Sequence, residues 1–183
     1  MYHSGNQMID SYLLLAKAQV QSGMCVADLG CGRTGHIVFP ASLKVGERGI
    51  VYAVDVMKDV LENIHKRAAA QNQLAVQTVW SDLECPGRTA IPAHSLDAAF
   101  IINVLNQSDN RQAILEEARR LLKDKARLIV VDWSKKGLVF APPDEDYVDF
   151  EAVKKWSQKH GFVLQEEFSM GNFHYGLVLF KHD

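Results

Sequence analysis

Val26-Ala27-Asp28-Leu29-Gly30-Cys31-Gly32-Arg33-Thr34-Gly35-His36 is the stretch that decides how this chain folds. Its first half completes a short run, Met24–Leu29, apolar on both faces, as a strand covered by helices on each side must be. Glycines then fall at Gly30, Gly32 and Gly35. Glycine lets the backbone turn sharply and come close to a ligand, while the helix that follows offers its free N–H groups. The spacing alone fits a dinucleotide fingerprint, or a tight turn that holds nothing.

Further apolar runs follow at Ile50–Val54, Leu74–Trp80, Leu96–Ile102 and Arg127–Asp132. Between them, Val60, Leu61, Ile64 and Ala68 recur at helical spacing, as do Ile114, Leu115, Ala118, Leu121 and Leu122. Ser108 or Asp109 is the expected N-cap of the later helix. Pro40 falls inside the first helix after the glycines, which is tolerable if that helix starts near it. Alternation of this kind implies right-handed crossovers and a parallel sheet. The tail changes rhythm: a helix over Glu151–His160 stops at Gly161, and the strands Phe162–Phe168 and Phe173–Phe180 are joined by Ser169–Asn172. So short a link makes an antiparallel hairpin. The sequence therefore predicts an α/β fold, a doubly wound Rossmann-like sheet of five parallel strands plus a C-terminal antiparallel hairpin. One domain is expected over residues 1–183, with residues 1–22 as an N-terminal helix and lid that includes Tyr2 and His3.

The chain has 183 residues, a net charge of −2 and no overall basic footprint, so nucleic acid is not an expected partner. The pairs Lys135-Lys136 and Lys154-Lys155 read as solvated surface. No apolar run approaches the ~20 residues of a membrane span, and the first residues lack the pattern of a signal peptide. Cys25, Cys31 and Cys85 have no CxxC spacing, which points to free thiols, no metal site and a cytoplasmic location.

Three carboxylates stand where runs end. Asp55 closes the second run, twenty residues beyond Gly35, where an acid reaches ribose hydroxyls or caps the next helix. Asp82, in Trp80-Ser81-Asp82-Leu83-Glu84, can accept from an adenine amine while Leu83 packs on the ring, or can serve an ordinary loop. Asp28 precedes the first glycine, where it repels a pyrophosphate and favours a ligand with a cationic amino-acid end.

Taken in order, VADLGCGRTGH, YAVDV, WSDLE and LDAAFIINVLNQ resemble successive motifs of the class I S-adenosylmethionine-dependent methyltransferases. The layout is similar to the group containing quinone-biosynthesis C-methyltransferases and arsenite methyltransferases. The resemblance implies that Gly30, Gly32 and Gly35 line the methionine end of S-adenosylmethionine, with Asp28 supporting that loop and the ammonium. It implies Asp55 on both ribose hydroxyls, Val56 and Met57 against adenine, Asp82 and Leu83 on adenine's other side, and Asn103 facing the ammonium. The chain departs from the family in the extra residue before Gly35 and in Asp124-Lys125-Ala126, where Pro-Gly-Gly is usual.

Methyl transfer from a sulfonium is an in-line displacement in which the protein aligns the nucleophile and excludes water. No catalytic dyad is expected, and none stands out. His36 can be read as a base or as a helix-surface residue, and His174 as structural. Asn106, Gln107 and the segment Ala141–Tyr147 are the expected lining for a small-molecule methyl acceptor. Arsenite chemistry would need converging thiolates, and the positions of Cys25 and Cys31 speak against it. The alternatives are an NAD(P)-binding oxidoreductase, opposed by Asp28 and the closing hairpin, and a non-catalytic methyltransferase-like binding module.

Overall fold

Every residue of Cys25–Leu29 but the first is buried, and this run forms strand β1 in a computed structural model that describes residues 8–134 and 141–182. Tyr2, His3 and Lys135-Lys136 lie outside the described residues. Preceding it is helix α1 (Ser11–Lys17), capped by Asp10, whose side chain accepts from the Leu13 N–H at 3.1 Å. Then come α2 (Val38–Val45), β2 (Ile50–Asp55), α3 (Lys58–Ala70), β3 (Val76–Trp80) and β4 (Leu96–Ile102). A short 3-10 turn, Leu105–Gln107, leads to α4 (Arg111–Leu121) and β5 (Leu122–Trp133). Helix α5 (Phe150–Lys159), β6 (Phe162–Met170) and β7 (His174–Lys181) complete the order.

The seven strands form one sheet in the order β3-β2-β1-β4-β5-β7-β6. The first five run parallel, and β7 inserts antiparallel between β5 and β6. This is the predicted five-plus-hairpin arrangement. Strand order reverses between β1 and β4, and that reversal opens a crevice at the carboxyl ends of the strands.

The two sheet faces account for why the strand sequences are apolar throughout. One face (Val26, Val51, Ala53, Ala98, Phe100, Ile129 and Val131) packs against α1, α2 and α3. The other (Ala27, Leu29, Val54, Ala99, Ile101, Leu128 and Val130) packs against α4 and α5. A strand buried twice has no polar face to spare.

Several boundaries differ from the sequence reading. Strand β1 begins at Cys25 and β3 at Val76, while β2 extends to Asp55. Strand β5 starts five residues earlier than expected, since Leu122 pairs with Leu96 before a register shift carries the ladder to Ala98–Arg127. Lys125 absorbs that shift with φ 63°. The N-cap of α4 is Asn110, not Ser108 or Asp109, because only its side chain reaches the Ala113 N–H, at 3.2 Å. Asp149 caps α5 by accepting from Glu151 and Ala152. Pro40 is the third residue of α2, within the first turn, where its missing N–H breaks no helical bond.

Candidate active site

The strand tips meet in a cavity of about 550 Å3, within the size range of small-molecule and cofactor sites. Of the residues singled out in the sequence, Gly30, Gly32, Asp55, Val56, Met57, Asp82, Leu83 and Asn103 border it. Asn106, Gln107 and Pro142 border it as well.

Asp55 is 9% exposed at the tip of β2, and its carboxylate has two inward partners. Oδ2 accepts from the Gly32 N–H at 3.0 Å, and Oδ1 accepts from the Met57 N–H at 2.9 Å. One side chain thus fixes both the glycine loop after β1 and the first turn of α3. Gly30 has φ 87°, and a Cβ there would meet Val104 at 2.4 Å. Glycine is required there by the conformation and by the close approach of the β4 tip.

Two of the expected residues do not border the cavity. Gly35 sits under α3 with φ 56°, and a Cβ would come within 2.7 Å of Ile64 and 2.8 Å of Phe39. It allows the loop to pack closely against α2 and α3. Asp28 is 3% exposed and lies behind the loop. Burial, followed by the neighbouring charge of Asp55, pushes its carboxyl up to about 7. A cation brought into the cavity would favour its ionised form.

Asp82 is exposed and folds back on its own turn, accepting from the Glu84 N–H at 2.9 Å and from the Cys85 thiol. The loop role weighed for it in the sequence is therefore present, along with a position on the cavity wall. Leu83 is buried and offers apolar surface beside it. Asn103 follows β4 in the left-handed region, φ 54°, which asparagine tolerates. Its carbonyl accepts from Gln107 Nε2 at 2.6 Å.

Residues the sequence reading missed include Glu84, Ser108 and Trp133. Ser108 Oγ donates to Glu84 Oε1 at 2.6 Å, tying the loop after β3 to the turn after β4. Trp133 was legible in principle, because residues at the carboxyl ends of parallel strands face the ligand crevice. Asp132 beside it is fully buried. Burial pushes its carboxyl up to about 7, against hydrogen bonds from Trp133, Asn106 and Leu105 and the charge of Arg111. His36 hydrogen-bonds the Ile9 carbonyl and so ties the segment before α1 to the glycine loop. His174 is buried against Trp133, ring centroids 4.3 Å apart, and burial drives its imidazole down to about 4. Among the described residues no His, Cys, Asp and Glu group is arranged to hold a metal ion, and no helix is long and apolar enough to cross a membrane.

A doubly wound sheet with a glycine turn and an acid at adjacent strand tips is the frame of an adenosine-binding α/β protein. A family model described as "Methyltransferase domain" matches residues 20–173. The chain belongs to this family, within the class I S-adenosylmethionine-dependent methyltransferases. Among curated proteins, it is 37% identical over 76 residues to aklanonic acid methyltransferase from Streptomyces sp. strain C5, covering 42% of this chain and 33% of that one. It is 27% identical over 121 residues to a ubiquinone/menaquinone biosynthesis C-methyltransferase from Paraburkholderia phymatum, covering 66% of this chain and 48% of the relative. The chain thus spans between a third and a half of the length of these relatives. In fold it is similar to a SAM-dependent methyltransferase from Aquifex aeolicus, with a TM-score of 0.83, 23% identity and coverage of 96% and 91% of the two chains. The family runs against the oxidoreductase alternative.

Proposed function

We propose that this chain transfers a methyl group from S-adenosylmethionine to a small-molecule acceptor. The observation that carries the proposal is the convergence of Gly30, Gly32, Asp55, Asp82 and Asn103 on one cavity at the point where strand order reverses. The donor set suits the cofactor: a glycine turn that admits close approach, an acid for ribose hydroxyls, a second acid and Leu83 for adenine, and Asp28 for positive charge. When bound, S-adenosylmethionine supplies a methyl already activated by the sulfonium. Asp55 would hold the ribose while keeping the glycine loop in place through Gly32. Val56 and Met57, both exposed on the rim, would cover one face of the base, and Leu83 the other. Asp28 would carry the charge that answers the ammonium from behind the loop. The remaining end of the cavity, bordered by Asn106, Gln107, Trp133 and Pro142, would receive the acceptor and keep water from the methyl. That the curated relatives' names refer to aklanonic acid and to quinone biosynthesis supports a small molecule as acceptor. The chain would act as a single domain in the cytoplasm. Helix α1, expected from the sequence to belong to a lid, instead packs its Leu14 and Leu15 into the core beneath the sheet, away from the cavity lining.

Titration calorimetry with S-adenosylhomocysteine and with NADH tests this assignment. Binding of the first in the micromolar range, with none of the second, is the expected result. Binding of NADH alone would overturn it, and cofactor binding without transfer to any of a broad acceptor panel would favour a non-catalytic module.

A further inference from the structure

Asp132 is 0% exposed at the tip of β5, and the methyl transfer outlined above makes no use of it. A buried carboxylate is costly unless hydrogen bonds compensate its desolvation. What Asp132 does instead is hold the turn Leu105–Gln107. Oδ2 accepts from the Asn106 backbone N–H at 3.2 Å, and Oδ1 from the N–H of Trp133 at 2.8 Å. The side chain of Asn106 is held as well. The opposite orientation would set the amide oxygen against acceptors alone; with its nitrogen toward Asp132, Asn106 would donate to Oδ1 at 3.1 Å and to the Asn103 carbonyl at 3.1 Å.

These two bonds take both hydrogens of the Asn106 amide. The group is therefore fixed one way round, nitrogen toward the protein and carbonyl oxygen away from Asp132. Asn106 borders the cavity beside Trp133 and Gln107. We infer that Asp132 sets the hydrogen-bond polarity at the acceptor end: it pins the nitrogen of Asn106, so that the methyl acceptor meets a carbonyl oxygen and must bring an O–H or N–H group to it. Asn106 is then a specificity-determining residue and Asp132 a positioning residue. The inference rests on the proposed use of this cavity for cofactor and acceptor. A ligand lacking the donor leaves a desolvated carbonyl unpaired, and sites of this kind discriminate strongly.

Asparagine at position 132 has nearly the same shape but puts an N–H2 where an oxygen stood. Two donors would then face each other, and the Asn106 amide turns over, presenting N–H2 to the ligand. In the exchange D132N/N106D the donor sits at 132 and the acceptor at 106, so an oxygen again faces outward.

The test uses the full chain saturated with S-adenosylhomocysteine at about pH 8.5, above the value of about 7 at which Asp132 loses its proton. Phenol and anisole serve as probes that differ by a donor, read by ligand-observed NMR. Phenol is expected to bind at least tenfold tighter than anisole. Asp132→Asn should reduce that preference below threefold, and the D132N/N106D exchange should restore it. Each variant is saturated with the cofactor product before the probes are added, so any change in its affinity does not enter the comparison. In the unsubstituted protein, the side-chain amide protons of Asn106 should exchange with solvent at least tenfold more slowly than those of Gln21. Equal binding of the two probes, no binding of either, a preference untouched by Asp132→Asn, or fast exchange of the Asn106 amide overturns the inference. Failure of S-adenosylhomocysteine to bind the unsubstituted protein is a separate result that sinks the cofactor proposal instead.

Discussion

Asp55 joins structure and ligand chemistry in a single side chain, since the carboxylate expected to meet ribose also holds Gly32 and Met57 in place. Asp55→Ala should weaken S-adenosylhomocysteine binding by roughly 1.5–3 kcal/mol, the range for hydrogen bonds to a charged group. It should also lower thermal stability, because two backbone donors lose their partner. Calorimetry on the folded variant checks the first effect, and an unchanged dissociation constant would refute the ribose role. Asp28 behaves differently. Its carboxyl is raised to about 7, so bound cofactor charge should expel its proton. Affinity for S-adenosylmethionine should therefore rise between about pH 6 and 8, and Asp28→Asn should flatten that slope. At this scale the sequence showed which residues gather around the strand tips, but not that Asp28 lies behind the loop or that Asp82 folds back on its own turn. Gly35 misled, since its spacing from Gly32 suggested a ligand contact and only the packing of Ile64 and Phe39 reveals its use.

Strands were easier to find than their ends. Leu122-Lys123-Asp124-Lys125-Ala126 carries three charges and reads as a turn, yet it belongs to β5 because Leu122 pairs with Leu96 and Lys123 forms an ion pair with Asp97. Neither contact is local, so no pattern in the segment announces it. The same junction contains a buried lysine. Lys181 of β7 donates to the Leu122 carbonyl at 2.7 Å and to the Arg119 carbonyl at 3.2 Å, satisfying the last turn of α4. Lys181→Met should destabilise the protein by about 1–3 kcal/mol through the orphaned carbonyls. Denaturant melts should register this while cofactor affinity stays the same. Gly35→Ala belongs here too: a methyl forced against Ile64 and Phe39 should cost about 1–3 kcal/mol. A variant as stable as the parent would mean the α3 contact is softer than the geometry implies.

Across the whole molecule, three buried acids pull stability in opposite directions with pH. Asp28 and Asp132 both sit near 7 in the fold, above their unfolded value near 4. Between those limits the folded state holds protons that the unfolded chain has lost, so stability falls as pH rises through this window. Each group contributes on the order of 4 kcal/mol by that linkage. Glu117 acts the other way. Burial opposes its charge, but bonds from Arg120 and from the N–H groups of Gly87 and Thr89 prevail and hold it down to about 2. Its contribution is lost as pH falls below about 4.5. The cofactor-free protein should therefore show its highest melting temperature at about pH 4, not at neutrality, and Asp28→Asn should move that maximum upward. A melting temperature that climbs steadily from pH 5 to 8 would contradict the assignment.

Strand β7 lies between β5 and β6 although both precede it in the chain. During synthesis, β5 must wait with an open edge until residues 174–181 leave the ribosome, and β6 has no partner before then. A nascent chain halted anywhere short of that point exposes a long apolar ladder to its neighbours, so the half-made protein is the form most in need of a chaperone.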